Sequence, residues 1–168
     1  LDTVRSTQFI NGPQVADFQK NLEAYLGVDH VIPCANGTDA LQIAMMALGL
    51  EPGDEVIVQA FTFIATAEVI ALLRLTPVMV DVDEGTFNVT AEAVEAAITP
   101  RTKAIVPVHM FGQSCDMEAI MAVAAKSRWF PALRHSIPVL IQERLKQRNG
   151  AELRPTAGGV FANLRTQK

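Results

Sequence analysis

In the stretch Cys34-Ala35-Asn36-Gly37-Thr38-Asp39-Ala40-Leu41, a glycine, a hydroxyl and a carboxylate stand between an apolar run and an apolar helical stripe. Gly37 supplies a flexible turn, and Thr38 or Asp39 falls where an N-cap belongs before Ala40, Leu41, Ile43, Ala44, Met45 and Leu48. Such a turn aims free backbone N–H groups and the positive end of a helix dipole at one spot, which suits a phosphate. An ordinary capped helix after a strand has the same pattern, which is less specific than a Walker or dinucleotide fingerprint. Asp39 is an awkward neighbour for a phosphate, so its carboxylate is expected to turn away and cap the helix. Other candidates are more ambiguous. His109 ends an apolar run, at the edge where ligands gather in parallel sheets, but a buried, hydrogen-bonded histidine is the favoured reading. Phe63 reads as core, and Asn11-Gly12 as a turn leading a helix. Asp81 and Asp83 finish a strand and cap the next segment, with no paired-carboxylate acid–base site. Cys34, Cys115 and the three histidines show no metal-ligand spacing, so no metal is expected and the thiols read as reduced, in a cytoplasmic setting.

The elements that must hold these residues emerge from periodicity. Val15, Phe18, Leu22, Tyr25 and Leu26 share a helical face over 14–26, with Gly27 as the stop. A strand is predicted at 30–34, a helix at 38–49, a strand at 55–58, and a helix at 62–73 that carries Phe63 in its first turn. A strand at 77–83, a helix at 90–98 capped by Thr90, a strand at 103–109 and a helix capped by Asp116 complete the pattern. Strands alternating with helices imply an α/β fold, a mostly parallel sheet with helices on both faces. Beyond Lys126 the agreement fades: 137–141 reads as a strand, 142–148 as a polar helix, and 149–168 as loosely ordered.

Of the 168 residues, 1–127 hold 16 acidic and 6 basic side chains, whereas 128–168 hold 2 and 8, so the net charge of -4 conceals a basic tail. A basic tail admits a nucleic-acid arm, but no aromatic interleaving beyond Trp129 and Phe130 and no binding module accompanies it, so no nucleic-acid partner is expected. No apolar run approaches the ~18–20 residues of a membrane span, and no membrane association is expected.

Six blocks in order carry a resemblance: Phe9-Ile10-Asn11-Gly12-Pro13, Ala35-Asn36-Gly37-Thr38-Asp39-Ala40-Leu41, Pro52-Gly53-Asp54-Glu55-Val56-Ile57, Phe61-Thr62-Phe63-Ile64-Ala65-Thr66, Pro77-Val78-Met79-Val80-Asp81-Val82-Asp83, and Val108-His109-Met110-Phe111-Gly112-Gln113. Together they resemble the N-terminal part of the DegT/DnrJ/EryC1/StrS sugar aminotransferases, over residues 8 to about 126. The resemblance implies an incomplete fold-type-I large domain over 1–126 that binds pyridoxal 5'-phosphate (PLP). Gly37, Thr38 and Asp39 fall at its phosphate site, and Phe63 falls where an aromatic ring lies over the pyridine. Asn11 and Gly12 match a segment near the substrate or neighbouring subunit, and His109 is a further pocket candidate. The implied reaction transfers an amino group, typically from glutamate, to a nucleotide-linked keto sugar for polysaccharide or antibiotic-sugar synthesis, in a homodimer.

The tail, 127–168, departs from that pattern. Where the family has an Asp that pairs with the pyridinium nitrogen, this chain has Ile141-Gln142-Glu143, and no Ser-x-x-Lys segment supplies a Schiff-base lysine. The tail is therefore expected to be an aberrant continuation, the chain a fragment without catalytic residues of its own. Two alternatives stay open: a non-catalytic phosphate-binding or regulatory domain, and a basic-tailed nucleic-acid binder.

Overall fold

The computed structural model describes residues 1–126. The strand expected at 137–141, the polar helix at 142–148, the loose segment 149–168 and the off-family tail as a whole lie outside the described residues. The described chain falls into two units, Leu1–Ala40 and residues 41–126.

The first unit opens with a short helix that periodicity did not signal, α1 (Asp2–Ser6), closed by Thr7 at φ 57°. A turn through Asn11, also left-handed at φ 50°, leads to α2 (Pro13–Leu26). Pro13 sits in the first turn, where its missing N–H costs nothing, and Gly27 stops the helix at φ 64°. The expected strand at 30–34 is not formed. Val31 is buried, but its carbonyl accepts from Gln19 Nε2 at 2.6 Å and its N–H donates to Glu23 Oε1 at 3.0 Å. Side chains of α2 thus occupy both backbone groups that a neighbouring strand would pair with, and Pro33 has no N–H to offer a ladder. The next helix, α3 (Gly37–Ala47), begins here and continues into the second unit.

In the second unit β1 (Glu55–Gln59) is the middle strand of a parallel sheet, with β2 (Thr76–Val80) on one side and β3 (Thr102–Val106) on the other. Glu55 to Gln59 pair in register with Thr76 to Val80; against β3, Val56 faces Ala104 and Val58 faces Val106, after an irregularity at Glu55. Every residue of β1 is buried, as a central parallel strand covered on both faces requires. Val56 and Val58 point one way, into a cluster with Met45 of α3 and with Val69 and Ile70 of α4 (Ala65–Leu72). Ile57 points the other way, into a cluster with Val94 of α5 (Ala91–Ala97) and with Ile120 and Val123 of α6 (Met117–Lys126). Each such fully buried side chain contributes about 1.5–3 kcal/mol. The placement is set by handedness: β1 to β2 steps outward and β2 to β3 steps back past β1, so right-handed crossovers put α4 and α5 on opposite faces.

The predicted elements of this unit form, with shifted ends. β2 stops at Val80 and β3 at Val106, three residues short of Asp83 and His109. Thr90 caps α5 as expected, accepting from Ala93 N–H at 3.2 Å, and Asp116 Oδ1 caps α6 through Ala119 N–H at 3.1 Å. The helix expected from Thr62 begins only at Ala65, so Phe63 lies in the loop before it.

Candidate functional site

The start of α3 is organised by Asn36, not by Thr38 or Asp39. Asn36 Oδ1 accepts from the Asp39 N–H at 3.0 Å, its backbone carbonyl accepts from Ala40 N–H at 3.1 Å, and its Nδ2 donates to Asp39 Oδ2 at 3.1 Å. Asn36 is therefore the N-cap, because the side-chain oxygen of the preceding residue reaches the third helical N–H without disturbing the helix. Asp39 lends its carboxylate to that same cap, where it is held against the Asn36 amide. The Gly37 and Thr38 N–H groups fall at the first two helical positions, which have no intrahelical acceptor in any α-helix. Both residues are half-buried. Two amides and one hydroxyl at the positive end of an eleven-residue helix form a local anion-binding geometry.

In the second unit, chemistry collects at the carboxyl edge of the sheet. The loop after β1 leads to α4 on one face, whereas the loop after β3 leads to α6 on the other. Adjacent parallel strands whose loops part in this way leave a crevice outside their carboxyl ends, the usual ligand position in open α/β sheets. The loop after β1 carries Phe61 and Phe63, 48% and 75% exposed, and the loop after β3 carries His109 and Phe111. That exposure rules out the core reading of Phe63: its ring is open to a partner. Phe87, from the segment after β2, lies between Phe61 and Phe111, with ring centroids 5.4 and 5.8 Å away. Phe87 and Phe111 both hold left-handed backbone, at φ 56° and 53°, which is costly for a bulky residue and is retained where the surroundings fix it.

The fixing groups are two amides. Gln59, 1% exposed, donates from Nε2 to the carbonyls of Phe61 (3.1 Å) and Phe87 (3.4 Å), and its Oε1 accepts from Val108 N–H at 3.1 Å. Asn88, 4% exposed, donates from Nδ2 to the Gln113 carbonyl at 3.1 Å and accepts at Oδ1 from Met110 N–H at 2.9 Å. His109 Nδ1 accepts from Cys115 N–H at 3.1 Å, and burial pushes its imidazole below its ordinary value of 6.5. It is thus held neutral, with Nδ1 engaged. Burial also pushes the Cys115 thiol above its ordinary value, so it is no nucleophile.

A family model described as the DegT/DnrJ/EryC1/StrS aminotransferase family matches residues 1–130. The chain belongs to this family. It is 54% identical over 123 residues to the UDP-2-acetamido-2-deoxy-3-oxo-D-glucuronate aminotransferase of Pseudomonas aeruginosa, covering 73% of this chain and 34% of that one. The GDP-perosamine synthase of Caulobacter vibrioides is 44% identical over 155 residues, 92% of this chain and 39% of its own. That alignment, unlike the family match, runs well past residue 130. Among solved structures, NtdA from Bacillus subtilis with bound cofactor PMP superposes with a TM-score of 0.71 at 40% identity, covering 74% of this chain and 29% of that one. The chain therefore spans little more than a third of the curated relatives it matches.

The remaining sequence candidates of this family member have clear places. Asn11 and Gly12 line an open hollow of about 610 Å³ in the first unit, together with Thr7, Gln8, Phe9, Ile10, Pro13 and Ala16. A Cβ on Gly12 would collide with the Gln8 carbonyl oxygen, so glycine is needed there for close backbone approach. Asp83 Oδ1 accepts from Gly85 N–H, Thr86 N–H and Thr86 Oγ1, and Asp81 Oδ1 from Val82 N–H, so both carboxylates shape the loop after β2. Among the described residues no cluster of His, Cys, Asp and Glu could hold a metal, and no helix is long and apolar enough to cross a membrane. Periodicity missed Gln59 and Asn88. The available signal was a lone amide closing the apolar run Val56-Ile57-Val58, where a buried strand leaves no water to satisfy it.

Proposed function

We propose that this chain is the N-terminal part, residues 1–126, of a PLP-dependent aminotransferase large domain acting on a nucleotide-linked keto sugar. The amino donor is glutamate, the working enzyme a cytoplasmic homodimer, and the product serves polysaccharide or related sugar synthesis. The observation that carries the proposal is the start of α3: Asn36 takes up the Asp39 N–H and carboxylate, while Gly37 and Thr38 are left to meet an anion. In this role the two N–H groups and the Thr38 hydroxyl bind the cofactor phosphate, with Asp39 holding the cap that orients them. Phe63 offers its exposed ring face to the pyridine, fixing its plane without competing for its protons. Asn11, Gly12 and His109 serve the substrate. Bound there, the cofactor supplies an electron sink for moving a proton between the two carbons of the amino transfer.

The chain's own residues offer phosphate anchoring and ring stacking but no Schiff-base lysine or pyridinium partner, so at most weak cofactor binding without turnover is expected of them. Lys146 and Lys168 stand outside any Ser-x-x-Lys segment, and no Asp follows Pro138-Val139-Leu140. Titrating the full 168-residue chain with pyridoxamine 5'-phosphate, followed by the anisotropy of the ligand's own fluorescence, tests the reading. Saturable binding, displaced by inorganic phosphate and weakened in Thr38→Val, is expected. A wild-type chain that leaves the anisotropy flat refutes it.

A further inference from the structure

Gln59 has no ligand contact in the proposed function, yet its side chain bonds to three separate segments at the carboxyl edge. It closes the central strand, is almost completely buried, and engages the segments that come after all three strands: Phe61 after β1, Phe87 after β2 and Val108 after β3. Asn88 continues the network to Met110 and Gln113, and its carbonyl accepts from Asp83 N–H at 3.0 Å. The polar atoms of both amides in these bonds have no water to fall back on, so the geometry is over-determined. Three exposed phenylalanines, two in left-handed backbone, hang on this frame.

We infer that Gln59 is a positioning residue: with Asn88 it locks the three carboxyl-edge loops into one body, and through the Phe61 carbonyl it sets where Phe63 meets the cofactor ring. The role of Phe63 rests on the proposed aminotransferase function; the locking of the loops does not. An amide is needed because the position must donate to two carbonyls and accept from one N–H at once. Leucine offers neither capacity. Protonated glutamate can donate to one of the two carbonyls while accepting from Val108 N–H, whereas the ionised carboxylate can donate to neither and would face the carbonyl oxygens of Phe61 and Phe87.

Amide hydrogen exchange on the full chain, in wild type, Gln59→Leu and Gln59→Glu, reads the lock without any ligand. In Gln59→Leu the Val108 amide and the amides of 60–64 and 86–88 are expected to exchange about tenfold faster, in concert, while Val56 to Val58 change by less than about twofold. Gln59→Glu is expected to lie between wild type and Gln59→Leu at low pH, where it keeps one donation and the acceptance from Val108, and to reach Gln59→Leu at high pH, its titration raised by burial. His109 is present in every variant and cancels in the comparison. A filler role would show no such pH profile. Unchanged loops in Gln59→Leu, loosening of the strand as large as that of the loops, or a flat profile in Gln59→Glu each overturns the lock. With pyridoxamine 5'-phosphate, Gln59→Leu is expected to bind about tenfold more weakly than wild type. Equal binding overturns the positioning of Phe63, and wild type that binds none overturns the cofactor reading together with that positioning, while exchange still decides the lock.

Discussion

The two ends of β1 solve one problem with opposite chemistry. At its start Glu55, 3% exposed, accepts from Thr99 Oγ1 and from Arg101 Nε at 2.9 Å and Nη2 at 2.5 Å, tying the beginning of β3 to the central strand. At its end Gln59 makes the corresponding ties with a neutral amide. The Arg101 side chain is 74% exposed, so the ionic partner of the buried carboxylate stays solvated. The proposed function sets an anionic cofactor at the carboxyl edge, where a buried charge would act on it and a neutral clamp avoids that field. The difference separates an end built for holding from an end built for presenting.

A substitution between the two ends should erase the distinction, and its effect is the largest expected. Ile57 is fully buried and packs against α5 and α6. Ile57→Ala is expected to cost about 2–5 kcal/mol, measured by denaturant unfolding. Protection from hydrogen exchange should fall at both ends together. Loss confined to one end would mean that the ends are not joined through the strand, and the comparison would fail.

The next expectation separates the ends by pH. The hydrogen bond from Thr99, then the Arg101 contacts, hold the Glu55 carboxyl below its ordinary value of 4.5. The folded state therefore binds this proton less readily than the unfolded chain. Its contribution is complete above pH 4.5 and is lost as the pH falls through the depressed folded value. At the other end burial depresses His109 from 6.5, so stability begins to fall at a higher pH, as the unfolded chain takes up the proton first. Unfolding midpoints between about pH 7 and 3 should thus show two windows. Glu55→Gln should flatten only the lower one, and His109→Gln only the upper. A single window abolished by either change would show that the ends titrate as one.

The sheet and its covering helices were legible because each rests on local periodicity: Val56-Ile57-Val58, Val78 to Val80 and Ala104 to Val106 are short apolar runs between turn residues. The family blocks led to Gly37 and Thr38 as the residues proposed for the phosphate, and the start of α3 at Gly37 agrees with the helix read from the sequence. The strand at 30–34 failed because its pairing groups were taken by Gln19 and Glu23, residues of a preceding helix whose reach no pattern in the run itself reveals. The cap was misplaced by two or three residues, since Asn36, Thr38 and Asp39 all have capping side chains and only geometry decides which one precedes the helix. The lone amide of Gln59 marked a buried polar group, but its role was not legible because its three partners lie 2, 28 and 49 residues away.

Phe63→Ala should have the smallest effect on folding and sharpens the comparison most. A side chain 75% exposed contributes little to the core, so unfolding free energy should shift by no more than about 0.5 kcal/mol. Ring stacking is worth about 0.5–1.5 kcal/mol, so affinity for pyridoxamine 5'-phosphate should weaken by roughly two- to tenfold. Affinity for inorganic phosphate should stay unchanged, because the Gly37 and Thr38 amides do not depend on the ring. Titrating both ligands against wild type and Phe63→Ala separates these terms. Equal weakening of both would show that the loop supports the phosphate residues and not the pyridine. Equal retention of both would leave Phe63 without a ligand and return the carboxyl edge to the role already played by Glu55, that of holding the sheet together.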